Sequence, residues 1–228
     1  MTAQLHTTTA GTGPAVVLVH GFANDSSVWN ATVDELSAGC ACTAVDLPAH
    51  GRSPTPSEKS AYEREALLAA IDAVLAETGP AVYVGHSLGG YLGLAHCITR
   101  PGVLRGLVLV ATGPGFRDAA SMQDWNDQVH LTMPRLDLPR VAATASLHTD
   151  SIVIDRLSEV TIPIGLIVGS RDKPFVGAND YMERKLADVR RRTIDGGRHR
   201  LMRTHPAEIA DMVREVLSAA DLAKRPSG

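Results

Sequence analysis

Ala81-Val82-Tyr83-Val84-Gly85-His86-Ser87-Leu88-Gly89-Gly90-Tyr91 is an apolar run that ends in Gly-His-Ser-Leu-Gly and passes into a stretch of helical character. The run reads as a strand, the pentapeptide as a sharp turn and the sequel as a helix. That is the context in which G-x-S-x-G displays a nucleophile. A serine at the tip of such a turn is held in a strained backbone conformation, so the residues two before and two after it must lack bulk. Gly85 and Gly89 meet that demand. The turn lifts the Ser87 hydroxyl out of the sheet. It also sets backbone N–H groups at a helix start, where developing negative charge is stabilised. A plain glycine-rich turn would share the pentapeptide; the flanking strand and helix favour the nucleophile.

Outward from this stretch, apolar strand-like runs alternate with segments of helical spacing. Strands are expected over residues 5–9 at an edge, and over 15–19, 40–45, 106–111, 164–168 and 189–194. Between them, Ser26 or Ser27 is placed to cap a helix reaching Ala38. Residues 60–78 carry Leu67, Leu68, Ile71, Val74 and Leu75 at helical spacing. Helices follow at 88–99, 151–160, 181–186 and 206–223, the last beginning on Pro206. This rhythm predicts an α/β fold, a mostly parallel sheet of about seven to eight strands with helices on both faces. The chain is read as one domain, residues 1–228, with a short helical cap inserted at about 113–150, where the rhythm breaks.

Bulk properties narrow the function classes. The chain has 228 residues, 44% hydrophobic and 21% charged, as in ordinary soluble globular proteins. A net charge of −3 and a pI near 6.3 give no reason to expect nucleic acid or an anionic membrane as partner. No apolar run approaches the ~20 residues of a spanning helix. The first residues show neither a basic nor an apolar signal region, so a cytoplasmic location is expected. The three cysteines, Cys40, Cys42 and Cys97, read as buried free thiols. No cluster of metal-ligating residues accompanies them, and no cofactor is expected. Oligomeric state is left open.

A serine hydroxyl is a poor nucleophile without a general base, and the base needs an orienting acid. In a parallel sheet both belong beyond the carboxyl ends of strands. Asp172 follows the 164–168 strand in Gly169-Ser170-Arg171-Asp172, and His199 follows the 189–194 strand in Gly196-Gly197-Arg198-His199. The order Ser, Asp, His suits a nucleophile-elbow hydrolase. His205 lacks the strand-and-glycine context. His86 is expected to pack or hydrogen-bond locally, His50 and His96 to be structural, and His6, His130 and His148 to be solvated.

These segments, with His20-Gly21-Phe22 and Asp46-Leu47-Pro48-Ala49-His50-Gly51-Arg52-Ser53, resemble the α/β-hydrolase fold superfamily. The likeness is to its small soluble esterases, lactonases and carbon–carbon bond hydrolases. The resemblance implies two-step acyl transfer: Ser87 as nucleophile, His199 as base and Asp172 as its orienting acid. It implies an oxyanion hole from the backbone N–H groups of Leu88 and Phe22, a structural role for Asp46, and no metal or cofactor. The substrate implied is a small, largely apolar molecule carrying an ester, lactone or thioester. The alternatives are a carbon–carbon bond hydrolase or a menaquinone-pathway-like lyase on the same three residues, and a non-catalytic small-molecule receptor. Tyr91 stands where that lyase has an arginine. Phe22, Trp125, Met122 and Leu131 are the candidate pocket residues. Arg198, where relatives have a small residue, is expected to face solvent.

Overall fold

The computed structural model describes residues 4–223. Among them, seven strands form one sheet in the order β1-β3-β2-β4-β5-β6-β7. The strands are β1 (Thr7–Ala10), β2 (Ala15–Val19), β3 (Ala41–Val45), β4 (Val82–His86), β5 (Gly106–Val110), β6 (Ile164–Gly169) and β7 (Val189–Ile194). β1 runs antiparallel to β3, and every other pairing is parallel. The helices are α1 (Asn30–Leu36), α2 (Arg64–Thr78), α3 (Leu88–Thr99), α4 (Ala119–Thr132), α5 (Ile152–Asp155), α6 (Lys173–Lys185) and α7 (Pro206–Leu222), joined by short 3₁₀ turns.

The strands are apolar on both faces because both faces are covered. Successive side chains of a strand point to opposite sides. Val17, Val19, Tyr83, Leu107 and Leu109 accordingly join the core under α2 and α3. Val16, Leu18, Val82, Val84 and Val108 join the core that includes Met212, Val213 and Val216 of α7. Burial of each such aliphatic side chain contributes about 1.5–3 kcal/mol. Pro206 heads α7, as its missing N–H allows.

Several boundaries differ from the sequence expectation. The N-cap near residue 26 is Asp25, whose carboxylate accepts from Ser27 N–H at 2.9 Å. Its chain turns through a 3₁₀ segment before α1. The segment after β6 becomes helical at Lys173, immediately past Asp172, so the helix that holds Tyr181 begins well upstream of it. Cys40 precedes β3, and it and Cys42 are buried while Cys97 is half-buried; all three are free.

The topology locates the site. β2 leads to β3 on one side, and the chain then crosses to β4 on the other, so the order reverses between β2 and β4. Ligands of open parallel sheets bind beyond the carboxyl ends at such a boundary. His20-Gly21-Phe22 leaves β2 there, and Ser87 leaves β4.

Candidate active site

Ser87 sits between β4 and α3 with φ 49° and ψ −113°, outside the regions a β-carbon tolerates comfortably. The conformation is held from both sides. Ser87 N–H donates to Val110 O at 3.0 Å, and its carbonyl accepts from Tyr91 N–H at 3.0 Å as α3 begins. The small neighbours are required. A β-carbon on Gly85 would lie 2.4 Å from Gly90 N, and one on Gly89 would lie 2.3 Å from the Val19 carbonyl.

Asp172 and His199 arrive from the ends of β6 and β7. Their loops are tied together by Ser170 N–H to Ile194 O and Arg171 N–H to Gly197 O, both at 2.9 Å. His199 Nδ1 is 2.8 Å from Asp172 Oδ2, with the aspartate side chain 10% exposed and the histidine 37%. An Nδ1–H···carboxylate contact leaves Nε2 of a neutral ring as the acceptor. No hydrogen bond joins Ser87 Oγ to His199 among the described residues; such contacts are often long before substrate binds. Phe175 lies beside both the His199 ring, with ring centroids 4.6 Å apart, and the cavity that opens on Ser87.

The loop after β2 is pinned by neutral histidines. His20 Nδ1 donates to Gly21 O at 2.8 Å and its Nε2 accepts from Leu47 N–H at 3.0 Å. His50 Nδ1 donates to Pro48 O at 2.8 Å and its Nε2 accepts from Ala23 N–H at 3.1 Å. Burial, then the neighbouring His50, lowers His20 to about 4, and burial lowers His50 as well. Among the described residues no protein acceptor takes the Phe22 N–H. Leu88 N–H lies in the first turn of α3, where N–H groups have no intrahelical partner. Gly21 permits the close approach of this loop: a β-carbon there would meet His86 Nδ1 at 2.6 Å and Ser87 Cβ at 3.0 Å. Asp46 is the anchor beneath, accepting from Ser26 N–H at 2.6 Å and Arg52 N–H at 2.9 Å. Burial pushes its carboxyl up, but these donors outweigh burial and leave it below the usual range.

A cavity of about 290 Å³ opens on Ser87. Its walls are mostly apolar, with Leu88, Phe116, Trp125, Leu147 and Phe175 among them. Trp125 is one of these lining residues. The other three pocket candidates are not. Leu131 is 65% exposed on α4, a helix with no buried residue. Met122 is half-buried on the same helix and does not reach the cavity. The Phe22 ring packs edge-on against His50, 5.5 Å away. Arg198 is exposed, as expected.

Three histidines depart from the sequence reading. His6, expected in solvent, contacts Asp46 Oδ2 through Nδ1 at 3.0 Å. His148, also expected in solvent, lines the cavity. His86 bonds far along the chain, from Nε2 to the His199 carbonyl at 3.0 Å. The segment carrying His148 is fastened to α2 by Arg64, which holds Asp150 bidentately at 2.8 and 2.9 Å and donates to the Tyr91 hydroxyl at 3.2 Å. That hydrogen-bonded Asp150 first of all raises the Arg64 guanidinium further above its already high range. Nothing in the spacing of these residues announced either contact.

Residues 14–163 match the family model for the alpha/beta hydrolase fold. The chain belongs to that family. Among curated relatives, the pimeloyl-[acyl-carrier protein] methyl ester esterase of Xylella fastidiosa (strain M12) is 38% identical over 126 residues, covering 54% of this chain and 45% of that protein. The enzyme of the same description from Nitrosomonas europaea is 36% identical over 128 residues, covering 54% and 46%. The matched stretch thus spans about half of this chain and less than half of those relatives. Among solved structures, MenH from S. aureus superposes with a TM-score of 0.82 at 18% identity, covering 97% of this chain and 100% of that one. A thermophilic esterase from Thermogutta terrifontis superposes with a TM-score of 0.76 at 22% identity, covering 95% and 93%. At these identities the superpositions establish the fold alone.

Proposed function

We propose that the protein is a serine hydrolase that cleaves a carboxylic ester, lactone or thioester of a small, largely apolar molecule through an acyl-enzyme. The observation that carries this reading is the 2.8 Å Asp172–His199 pair, whose histidine packs on Phe175 in the wall of a cavity that opens on a serine in strained backbone. The esterase descriptions of the curated relatives support the ester class. The cavity of about 290 Å³ sits at the small end of ligand sites, which favours a short acyl or alkyl group.

In this mechanism His199 Nε2 takes the Ser87 proton as Oγ attacks the carbonyl carbon. The Leu88 and Phe22 N–H groups receive the oxyanion; one such donor is worth about 3 kcal/mol of transition-state stabilisation. His199 then protonates the leaving group. In the second half it takes a proton from water as the water attacks the acyl-enzyme, and gives that proton to Ser87 Oγ as the C–Oγ bond breaks and the acid leaves. Asp172 holds the ring in the tautomer that leaves Nε2 free and stabilises the imidazolium as it forms.

The test is hydrolysis of p-nitrophenyl butyrate by wild type and Ser87→Ala, together with labelling by a fluorophosphonate probe. Turnover and labelling confined to the wild type are expected. Robust turnover by the variant would sink the proposal.

A further inference from the structure

The hydrolytic mechanism leaves two titratable side chains in the wall of the Ser87 cavity unused, Tyr91, whose hydroxyl already accepts from Arg64, and His148. The backbone of His148 is clamped by a single amide. His148 N–H donates to Asn126 Oδ1 at 2.9 Å, and Asn126 Nδ2 donates to His148 O at 2.8 Å. Its ring sits in a nest of aromatic edges. Tyr91 lies 4.7 Å away at 86°, Phe116 5.1 Å at 85° and Trp125 5.9 Å at 66°. Trp125 is itself fixed by Nε1–H donation to Ser146 O at 2.8 Å. The imidazole is thus held to one orientation.

The two ring nitrogens differ. Nδ1 is sealed from solvent without a partner, on the side of Gly115, where an added β-carbon would lie 3.2 Å from it. A buried N–H without an acceptor is rare, because it forfeits its hydration and gains nothing. The proton of the neutral ring therefore belongs on Nε2. The ring stays neutral, since burial, then the nearby Arg64, lowers it to about 4. A phenylalanine would fill the same nest without sealing an unpartnered nitrogen. One fixed polar group among apolar walls is how a small pocket sets the orientation of its ligand.

We propose that His148 is a specificity-determining residue: its Nε2–H donates to an oxygen acceptor carried by the substrate away from the scissile carbonyl. A keto, ether or hydroxyl oxygen on the acyl chain satisfies it, and a plain alkyl chain leaves it unpaired. A site built to pair with a polar group discriminates against the analogue that lacks it. This inference deepens the serine hydrolase reading and rests on it for its kinetic test.

The experiment compares kcat/KM for p-nitrophenyl hexanoate with that for its 4-oxo and 5-oxo analogues. Wild type should prefer at least one keto ester roughly tenfold, the value of one neutral hydrogen bond. In His148→Phe that ratio should collapse to about one. His148→Gln, which keeps an N–H donor in the nest, should restore part of it, and thermal unfolding of each variant monitors the fold. A wild-type ratio near one, or a preference that survives His148→Phe, overturns the proposal. Wild type inert toward all three esters would instead defeat the hydrolase reading. In that case, Trp125 fluorescence titrated with 2-hexanone and with its isostere 2-methyl-1-hexene decides: tighter ketone binding lost in His148→Phe supports the inference, and equal binding refutes it.

Discussion

His86 Nε2 donates to the backbone carbonyl of His199 at 3.0 Å, joining residues 113 apart in the chain. The two rings also pack, with centroids 4.8 Å apart. The residue beside the proposed nucleophile thus holds the loop of the proposed base. Burial, then the neighbouring His199, lowers His86 to about 3, so it donates as a neutral ring.

His86 is accordingly a positioning residue. His86→Ala frees the His199 loop, and misplacement by about 1 Å can cost roughly 100-fold in rate. The expected result is a kcat lower by about 10- to 100-fold, with KM little changed. The pH profile of kcat should shift as well, because the base is no longer held over its acid. A loss of stability with unchanged kinetics in the folded fraction would show that His86 only fills space.

Asp172→Asn removes the carboxylate from the 2.8 Å contact with His199 Nδ1 while keeping its shape. An amide can donate to Nδ1 and so favours the wrong tautomer. Such a change in serine proteases lowers kcat by about 10⁴. A comparable loss is expected, with fluorophosphonate labelling slowed in parallel and the circular dichroism spectrum unaltered. Labelling at the wild-type rate would transfer the orienting role elsewhere.

Gly21→Ala places a methyl 2.6 Å from His86 Nδ1 and 3.0 Å from Ser87 Cβ. The loop must withdraw, taking the Phe22 N–H with it. Loss of one oxyanion donor costs about 10²–10³ in kcat. That loss is expected here, with a KM within severalfold of wild type. Unchanged kcat would exclude Phe22 N–H as a donor.

Acid should destabilise the protein through its buried histidines. His20 and His50 each accept a backbone N–H on Nε2, and protonation abolishes that acceptor. Their folded pKa values lie below the ordinary 6.5, His20 at about 4, so the unfolded chain binds protons first. Their contribution is fully present above about pH 6.5 and declines as pH falls, by up to about 1.4 kcal/mol per pH unit for each group. For His20 the loss is complete below about pH 4. His86 and His148 act with the same sign. The melting temperature should fall steadily from pH 7 to pH 4.5, and a flat profile over that range would contradict the assignment of neutral buried rings.

Local pattern was enough for the sheet, the elbow and the order Ser87, Asp172, His199. Each of these is written in a few adjacent residues: an apolar run for a strand, glycines for a close approach, a polar residue just past a strand end. The contacts that depend on how distant segments meet were not legible. No residue of α4 is buried, so the apolar character of Leu131 does not by itself say which way it faces. Phe22 packs on His50 because the loops after β2 and β3 fold against each other, and His6 reaches Asp46 because β1 pairs antiparallel with β3. His148 lies in irregular backbone, where no periodicity assigns a face. Its nest is assembled from Tyr91, Phe116 and Trp125, brought together only when the segment closes over the sheet. Secondary structure follows from short-range sterics and polarity. Which side chains meet inside a cavity follows from the packing of elements whose contacts leave no mark on the sequence nearby.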